Sequence, residues 1–370
     1  MKYLVFSKNI LLEYDSIKRD LPWRASYDPY KIWVSEIILQ QTRIDQGMGY
    51  YYRFLEKFPN INSLASASEE DVLKIWQGLG YYSRARNLHA TAKEIAFEMN
   101  GVFPSAYAEL KKLKGIGDYT AAAIASICFN EPVAAIDGNA FRVLSRYFGI
   151  ETPVNSTEGK KTFRVLAAKI IDRQNPGTFN QAIMDFGSLK CTPRNPLCSD
   201  CSLQNSCLAF NQNLTGSLPV KSKKNTVRDR FFNYIVYEHD NSLLFKKRTG
   251  NDIWKNLYDF PLIETAHSTT IEELPNTKEW NNFFSNEVVT IEHVSKEIVH
   301  VLSHQKIHAR FFHVKCKTEK NLLPQFYMIN KLNIFEIPIP KIIENYIEKM
   351  AFINQNLQFN IEKHGIQQNS

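Results

Sequence analysis

The sequence predicts two differently built parts: a mainly α portion over residues 1–210 and an α+β portion over 229–352, joined by a polar linker at 211–228. Three observations carry that division. Up to about residue 210, apolar residues recur at helical spacing, with glycine and proline marking the joints. Four of the chain's 6 cysteines fall within residues 191–207. Beyond residue 228, short apolar runs bounded by turn residues read as strands. A chain of 370 residues also exceeds one ordinary core, so more than one domain is expected.

The helical elements follow in order. Ile32, Trp33, Ile37 and Leu39 share one helix. Ser68-Glu-Glu-Asp71 has the form of a helix start, ahead of the apolar Val72, Ile75 and Trp76. Residues 121–129 are alanine-rich and apolar, and 163–171 and 179–189 repeat the helical pattern. Joints fall at Gly78 and Gly80, Gly115 and Gly117, Gly138, and Pro176-Gly177. The linker at 211–228 is basic and poor in large apolar residues. Past it, 232–237 and 242–246 flank Asp240-Asn241 as a β-hairpin, strand-like runs return at 298–302 and 309–314, and 339–350 reads as a helix. Residues 353–370 read as a loose polar tail, and the sequence contains no internal repeat.

Composition narrows the function classes. Hydrophobic residues make up 44% and charged residues 22%, which is globular. The apolar run at the N-terminus is too short for a signal peptide, and no stretch approaches a membrane span. The expectation is a monomer in the cytoplasm, nucleoid-associated in a bacterium, with reduced thiols and no membrane partner. A net charge of +7 permits nucleic-acid binding but does not require it.

The cysteines are spaced as Cys191-x6-Cys198-x2-Cys201-x5-Cys207. Thiolates so close together suit a metal better than disulfides, which would close very small loops here. Pro193, Asn195 and Pro196 let the first loop bend all four sulfurs toward one centre. Structural zinc more often uses two tight C-x2-4-C pairs. The outer arms of six and five residues suit a [4Fe–4S] cube. The spacing favours a cluster over zinc and zinc over disulfides.

Four further motifs could carry chemistry. Glu36 lies in an otherwise apolar helix; desolvation there would raise its pKa and make it a general acid. From that helix alone, a polar stripe of Ser35, Glu36 and Gln40 is the simpler reading. Asp137 precedes Gly138-Asn139 and a helix, so it reads first as an N-cap, and second as a carboxylate facing a cationic sugar. Leu113-Lys-Gly-Ile-Gly117, directly before a helix, has the pattern of a helix-hairpin-helix. Gly115 and Gly117 would allow close approach, and the N–H groups near Thr120 would attract a DNA phosphate. In the run from Gln77 to Asn87, Tyr81 and Tyr82 with Arg84 and Arg86 read either as core and solvated face, or as a wedge and phosphate contacts.

In combination these motifs resemble the adenine-specific mismatch DNA glycosylases of the MutY type, within the endonuclease III-like helix-hairpin-helix superfamily. The resemblance runs from Leu21-Pro-Trp-Arg24 through Val34–Thr42, the Gly-Leu-Gly-Tyr-Tyr run, the hairpin and Asp137-Gly-Asn139 to the cysteines. It implies a glycosylase core over 1–210, with a six-helix barrel at about 28–133 and an iron–sulfur module from 1–27 and 134–210. It further implies a [4Fe–4S] cofactor on Cys191, Cys198, Cys201 and Cys207, and double-stranded DNA carrying adenine opposite 8-oxoguanine or guanine as partner. Glu36 would protonate the adenine and later activate water, Asp137 would stabilise the oxocarbenium-like sugar, and Tyr119 and Asn139 would support them. Trp23, Arg24, Leu39, Gln181 and Met184 fall where the family lines its adenine pocket. Gln41, Thr42 and Tyr82 fall where it probes the opposite base.

Bifunctional relatives carry a lysine after L-x-G-x-G-x; here that position is Tyr119, and a phenol forms no imine. The resemblance therefore implies a monofunctional enzyme that leaves an abasic site. Lys247-Arg248 and the run 254–261 resemble the family's Nudix-like C-terminal domain, which recognises 8-oxoguanine. No G-x5-E-x7-R-E-x2-E-E box is present, which disfavours diphosphate hydrolysis. The family's Phe-Ser-His motif is Leu302-Ser303-His304 here, so the hydrogen-bonding pair is kept and the aromatic is lost. Two rivals remain. An endonuclease III-like enzyme for oxidised pyrimidines is disfavoured by Tyr119 and the extra domain. A non-catalytic iron–sulfur DNA-binding protein is disfavoured by the two carboxyls.

Overall fold

A computed structural model describes residues 2–222, 227–284, 289–316 and 325–350. The tail expected at 353–370 lies outside them. The chain packs as two units, one of residues 1–67 with 86–224 and one of 68–85 with 225–370.

The first unit is helical. It contains α1 (Lys2–Ile17), α2 (Pro29–Leu39), α3 (Ile44–Lys57) and α4 (Ile61–Ser66). In chain order α5 (Glu69–Trp76) belongs to the second unit, and α6 (Ser83–Lys93) runs across the division. The first unit resumes with α7 (Tyr107–Leu110), α8 (Asp118–Phe129), α9 (Gly138–Phe148), α10 (Thr157–Ile170), α11 (Pro176–Leu189) and α12 (Leu208–Asn211). Helix α2 starts where Asp28 accepts from the Tyr30 N–H at 2.9 Å and Pro29 takes the first turn. Ile32, Trp33, Val34, Ile37 and Ile38 are all buried, because this helix is walled on most sides.

Helix α8 is buried through Ala121–Ala125, and its alanines at 121, 122, 123 and 125 let neighbouring helices approach closely. The buried Asn180 on α11 donates to Ser126 Oγ and to the Val133 carbonyl, both at 2.9 Å, and accepts from the Ala135 N–H at 3.0 Å. One amide thus satisfies the irregular backbone before α9 and fixes where α9 begins. A second core gathers Phe6, Ile10, Val143, Tyr147, Phe163, Phe179 and Phe186 from α1, α9, α10 and α11.

The second unit is built on a sheet. Its strands are β1 (Arg228–His239), β2 (Ser242–Lys247), β3 (Tyr258–Asp259), β4 (Leu262–Thr265), β5 (Val289–Val294), β6 (Ile298–Val301), β7 (Gln305–Cys316) and β8 (Phe326–Asn330), with α13 (Lys278–Phe284) between β4 and β5. The path runs β3-β2-β1-β7-β5, with β4 on β1, β6 on β7 and β8 on β2. The β1–β7 pair is parallel, in register from Arg228↔Gln305 to Tyr237↔Val314. The β1–β2 turn has Asp240 and Asn241 both in the left-handed region (φ 46° and 56°), as a tight hairpin requires. Strand β1 departs from simple alternation because both faces are covered. Ile235 and Tyr237 join Trp280 and Phe284 on one side. Tyr234 stacks on Phe311, and Phe311 on Tyr346 of a helix over 341–350. Among the described residues no helix is long and apolar enough to cross a membrane.

A Cβ on Gly177 would stand 2.8 Å from Ile127 Cα and 2.9 Å from the Ser126 carbonyl. Backbone cannot yield there as a side chain would. Gly177→Ala is expected to destabilise the protein by about 1–3 kcal/mol, read as a lowered denaturant midpoint; an unchanged midpoint would mean that α8 and α11 pack less closely.

Candidate active site and iron–sulfur centre

One cavity of about 170 Å³ in the first unit gathers side chains from distant parts of the sequence. The turn Pro22–Ala25 supplies Trp23 and Arg24, α2 supplies Glu36 and Leu39, and Thr42 follows it. Tyr119 comes from the first turn of α8, Asp137 and Asn139 from the start of α9, and Gln181 and Met184 from α11. Ten of the residues predicted for the site therefore share its walls. Gln41 does not: it is exposed at the end of α2, with φ of 58°. Arg19 also lines the cavity and was not predicted, because nothing in its sequence neighbourhood marks it.

The two carboxyls differ in what touches them. Burial pushes Glu36 from 4.5 up to about 7, with the Asp137 charge adding and the Tyr119 hydroxyl and Arg24 opposing. Tyr119 also lies 3.1 Å from Met184 Sδ, and burial raises its phenol well above the usual range. Asp137 caps α9. It accepts from the Ala140 N–H and from Asn139 Nδ2, each at 2.7 Å. Burial still raises its carboxyl above the ordinary value, while those donors pull the other way.

A buried carboxylate behind the cavity holds the cations. Asp185, with a side chain 0% exposed, accepts from Arg24 at 2.6 and 2.8 Å and from Arg19 Nε at 2.8 Å. These charge-assisted bonds keep the Asp185 carboxyl below the ordinary value although its burial acts upward. Tyr14 of α1 donates to Gln181 Oε1 at 2.9 Å, and the Arg24 guanidinium sits 5.8 Å over the Tyr14 ring.

The hairpin between α7 and α8 carries Gly115 at φ of 80°, where a Cβ would collide with Asn87 at 2.7 Å. Gly117 is different: among the described residues nothing lies within 4 Å of its missing Cβ. Open space there suits a ligand that comes close to the backbone. The Thr120 side chain is buried and its hydroxyl accepts from Gln40 at 3.3 Å, so the contact expected of the helix start falls to the backbone N–H.

In the second unit the two adjacent tyrosines differ, and Tyr82, expected to probe the opposite base, is the buried one. Tyr82 is 6% exposed and its hydroxyl accepts from the Gly78 N–H, so it is a packing residue. Tyr81 is 42% exposed, adopts φ of 47°, and carries the Arg84 guanidinium 5.6 Å over its ring. Its hydroxyl is hydrogen-bonded to Ser303. Ser303 and His304 are exposed in the turn between β6 and β7.

The four clustered cysteines are half-buried and line one small cavity with Arg146 and Lys190. Burial raises the thiols of Cys198, Cys201 and Cys207, with the neighbouring cysteines adding, so the sulfurs sense one another; Cys201 reaches about 11. Arg146 Nη1 approaches Cys191 Sγ at 3.4 Å and donates to the Thr192 carbonyl at 2.7 Å. Among the described residues no three Cys, His, Asp or Glu side chains close on a single-ion site. Four sulfurs around a common space, beside a cation, fit an anionic cluster larger than one ion.

Comparison with known proteins agrees with these geometries. Residues 34–169 match the HhH-GPD superfamily base excision DNA repair protein model, 191–207 the iron-sulfur binding domain of endonuclease III, and 233–349 a NUDIX domain. The cofactor is therefore a [4Fe–4S] cluster in the cysteine stretch. The adenine DNA glycosylase of Buchnera aphidicola subsp. Schizaphis graminum is 39% identical over 279 residues, covering 75% of this chain and 80% of its own length. That of Buchnera aphidicola subsp. Baizongia pistaciae is 34% identical over 338 residues, covering 90% and 89%. A solved thermostable thymine-DNA glycosylase superposes with a TM-score of 0.54 at 29% identity, covering 57% of this chain and 97% of its own. With a helix-hairpin-helix core, an iron–sulfur motif, a Nudix domain and relatives of this similarity, the chain belongs to the adenine DNA glycosylases, hydrolases that cut the N-glycosyl bond of adenine in DNA to begin base excision repair.

Proposed function

We propose that the enzyme is monofunctional and removes adenine from pairs with 8-oxoguanine, and with guanine, leaving an abasic site. The observation that carries this reading is the meeting of Glu36, Asp137 and Tyr119 in one base-sized cavity, with a phenol where an imine-forming amine would stand.

The flipped adenine enters the 170 Å³ cavity against Trp23 and Leu39, with Gln181 and Arg24 at its polar edge and Met184 and Thr42 completing the wall. Glu36, held protonated in part at neutral pH, gives its proton to a ring nitrogen as the bond to the sugar lengthens. The electron pair of that bond passes to the leaving base. Asp137, oriented by Asn139 and the α9 N-terminus, faces the positive charge left on the sugar. The Glu36 carboxylate then takes a proton from the attacking water. Tyr119 orients Glu36, and no step passes through a covalent enzyme intermediate.

The backbone at Gly115, Gly117 and Thr120 holds the phosphodiester, and exposed Gln41 probes the opposite base. Ser303 and His304 hydrogen-bond the 8-oxoguanine, with Tyr81 beside Ser303 supplying an aromatic where Leu302 supplies none. Cys191, Cys198, Cys201 and Cys207 hold the cluster, which when bound shapes its loop. The enzyme works as a cytoplasmic monomer.

Three outcomes are expected. With duplex DNA carrying adenine opposite 8-oxoguanine, free adenine is released and the strand stays intact until alkali is added; borohydride trapping at the rate of base loss would overturn the monofunctional reading. Because Glu36 must begin protonated, single-turnover excision is expected to fall as pH rises above about 7. Glu36→Gln removes the acid and should lose excision by roughly 100- to 10,000-fold; because a raised folded-state pKa means stability is lost as pH rises from 4.5 through about 7, the variant should also melt higher than the parent at pH 8. An active variant, or one less stable at that pH, would count against the general acid. Finally, Ser303→Ala should lower the preference for 8-oxoguanine over guanine, and an unchanged ratio would remove Ser303 from recognition.

A further inference from the structure

We propose that Tyr14, on the N-terminal helix α1, is a positioning residue that sets which way round the Gln181 amide faces the base. The inference rests on reading the 170 Å³ cavity as the adenine pocket. It concerns a residue that does not line that cavity.

Tyr14 is 8% exposed, and among the described residues its hydroxyl has one hydrogen-bond partner, Gln181 Oε1 at 2.9 Å. A buried phenol proton left without an acceptor is costly. If the Gln181 amide turned over, its NH2 group would meet the phenol oxygen and the phenol proton would lose its acceptor. Arg24 restrains the other side. Its guanidinium lies over the Tyr14 ring and is itself fixed by two bonds to Asp185, so the ring cannot swing to find another partner. Gln181 therefore presents Oε1 and Nε2 in one defined order. Oε1 keeps a second lone pair, and Nε2 has no protein acceptor among the described residues.

That order has a chemical meaning. Along its N6/N7 edge adenine offers a donor beside an acceptor, which an amide matches with an acceptor beside a donor. Guanine offers two acceptors on the same edge, O6 and N7. With Oε1 fixed, O6 would face another oxygen. The base enters tethered to its sugar, so a reversed amide would be suited only by a purine turned about its glycosidic bond. Tyr14 thus converts a side chain with two equivalent orientations into a reader of the N6 amino group.

The test compares single-turnover excision of adenine with that of purine, the same base without the N6 amino group, opposite one partner base in duplex DNA. Tyr14→Phe keeps the ring and its packing and removes the hydroxyl alone. Adenine excision is expected to fall about three- to tenfold, while purine excision changes less than about twofold. A merely structural role would lower both together. Gln181→Leu should abolish the adenine preference over purine, and adding Tyr14→Phe to it should cost nothing more. If Gln181→Leu alters the ratio but Tyr14→Phe lowers both substrates equally or neither, the Tyr14 inference is wrong and the pocket reading stands. If Gln181→Leu leaves the ratio unchanged, Gln181 does not read the base, and the pocket reading fails with the inference.

Discussion

The first turn of α9 is the constraint on which the rest of the site depends. Asp137 is both the N-cap of that helix and the acidic group at its end of the cavity, so the carboxylate moves only if the helix does. Arg142, one turn along, prevents that. Its Nη2 donates to Asn139 Oδ1 at 2.8 Å and to the Gly187 carbonyl, and its Nε to the Cys191 carbonyl at 2.7 Å. Asn139 in turn donates to Asp137. The planar fork of one arginine, 8% exposed, thereby joins the carboxylate to α11 and to the first cysteine. A lysine could not make three such bonds at fixed angles. Gly187 permits the approach, since a Cβ there would stand 2.7 Å from Asn139 Cβ. Arg146 continues the same face, holding the Cys191–Pro193 backbone. The iron–sulfur loop and the first turn of α9 are thus a single mechanical piece.

Within the cavity, similar burial gives the two carboxyls different tasks. Glu36 has one donor, the Tyr119 phenol, set against desolvation and the charge of Asp137. Asp137 has the Ala140 and Asn139 N–H groups and the amide of Asn139. More donors favour the charged form, so Asp137 is drawn back toward ionisation against its burial, while Glu36 is raised to about 7. Arg24 could undo this arrangement by drawing Glu36 into its ionised form. It is restrained because Asp185 already holds its guanidinium through two bonds, which weakens the net field reaching Glu36. The buried Asp185 thus acts on Glu36 from a distance, through Arg24.

Much of this was legible in the chain. Fixed spacing exposes short-range devices: the cysteine stretch, the Gly-Ile-Gly hairpin, the Asp137 cap and the Asp240-Asn241 turn all lie within a few residues of their partners. Glu36 was ambiguous by itself, since an acidic residue on a helix is usually solvated, and its neighbours in other motifs resolved it. The failures are of another kind. Tyr81 and Tyr82 are adjacent and chemically equal, and which one faces out is set by the left-handed backbone at Tyr81, where Gly80 also has a positive φ of 71°. Asp185, Arg19 and Asn180 were missed because their significance comes from partners 45 to 166 residues away.

Those long-range pairs show why α1 matters to a reaction it does not perform. Replacing a buried Arg–Asp–Arg group with apolar residues often leaves a protein as stable or more so. What the group supplies behind this cavity is fixed geometry. Arg19 leaves the end of α1 and reaches Asp185 through both its backbone N–H and its side chain, so the helix end, α11 and Arg24 are set by one carboxylate. Farther up α1, Phe6 packs on Tyr147 of α9, and Ser7 donates to the Ile170 carbonyl at the end of α10. The helix therefore spans from the core beneath the cysteines to the polar edge of the pocket. A shift of α1 would disturb Gln181 through Tyr14 and Arg24 through Asp185 together, so the N-terminal segment sets the geometry of that wall of the cavity.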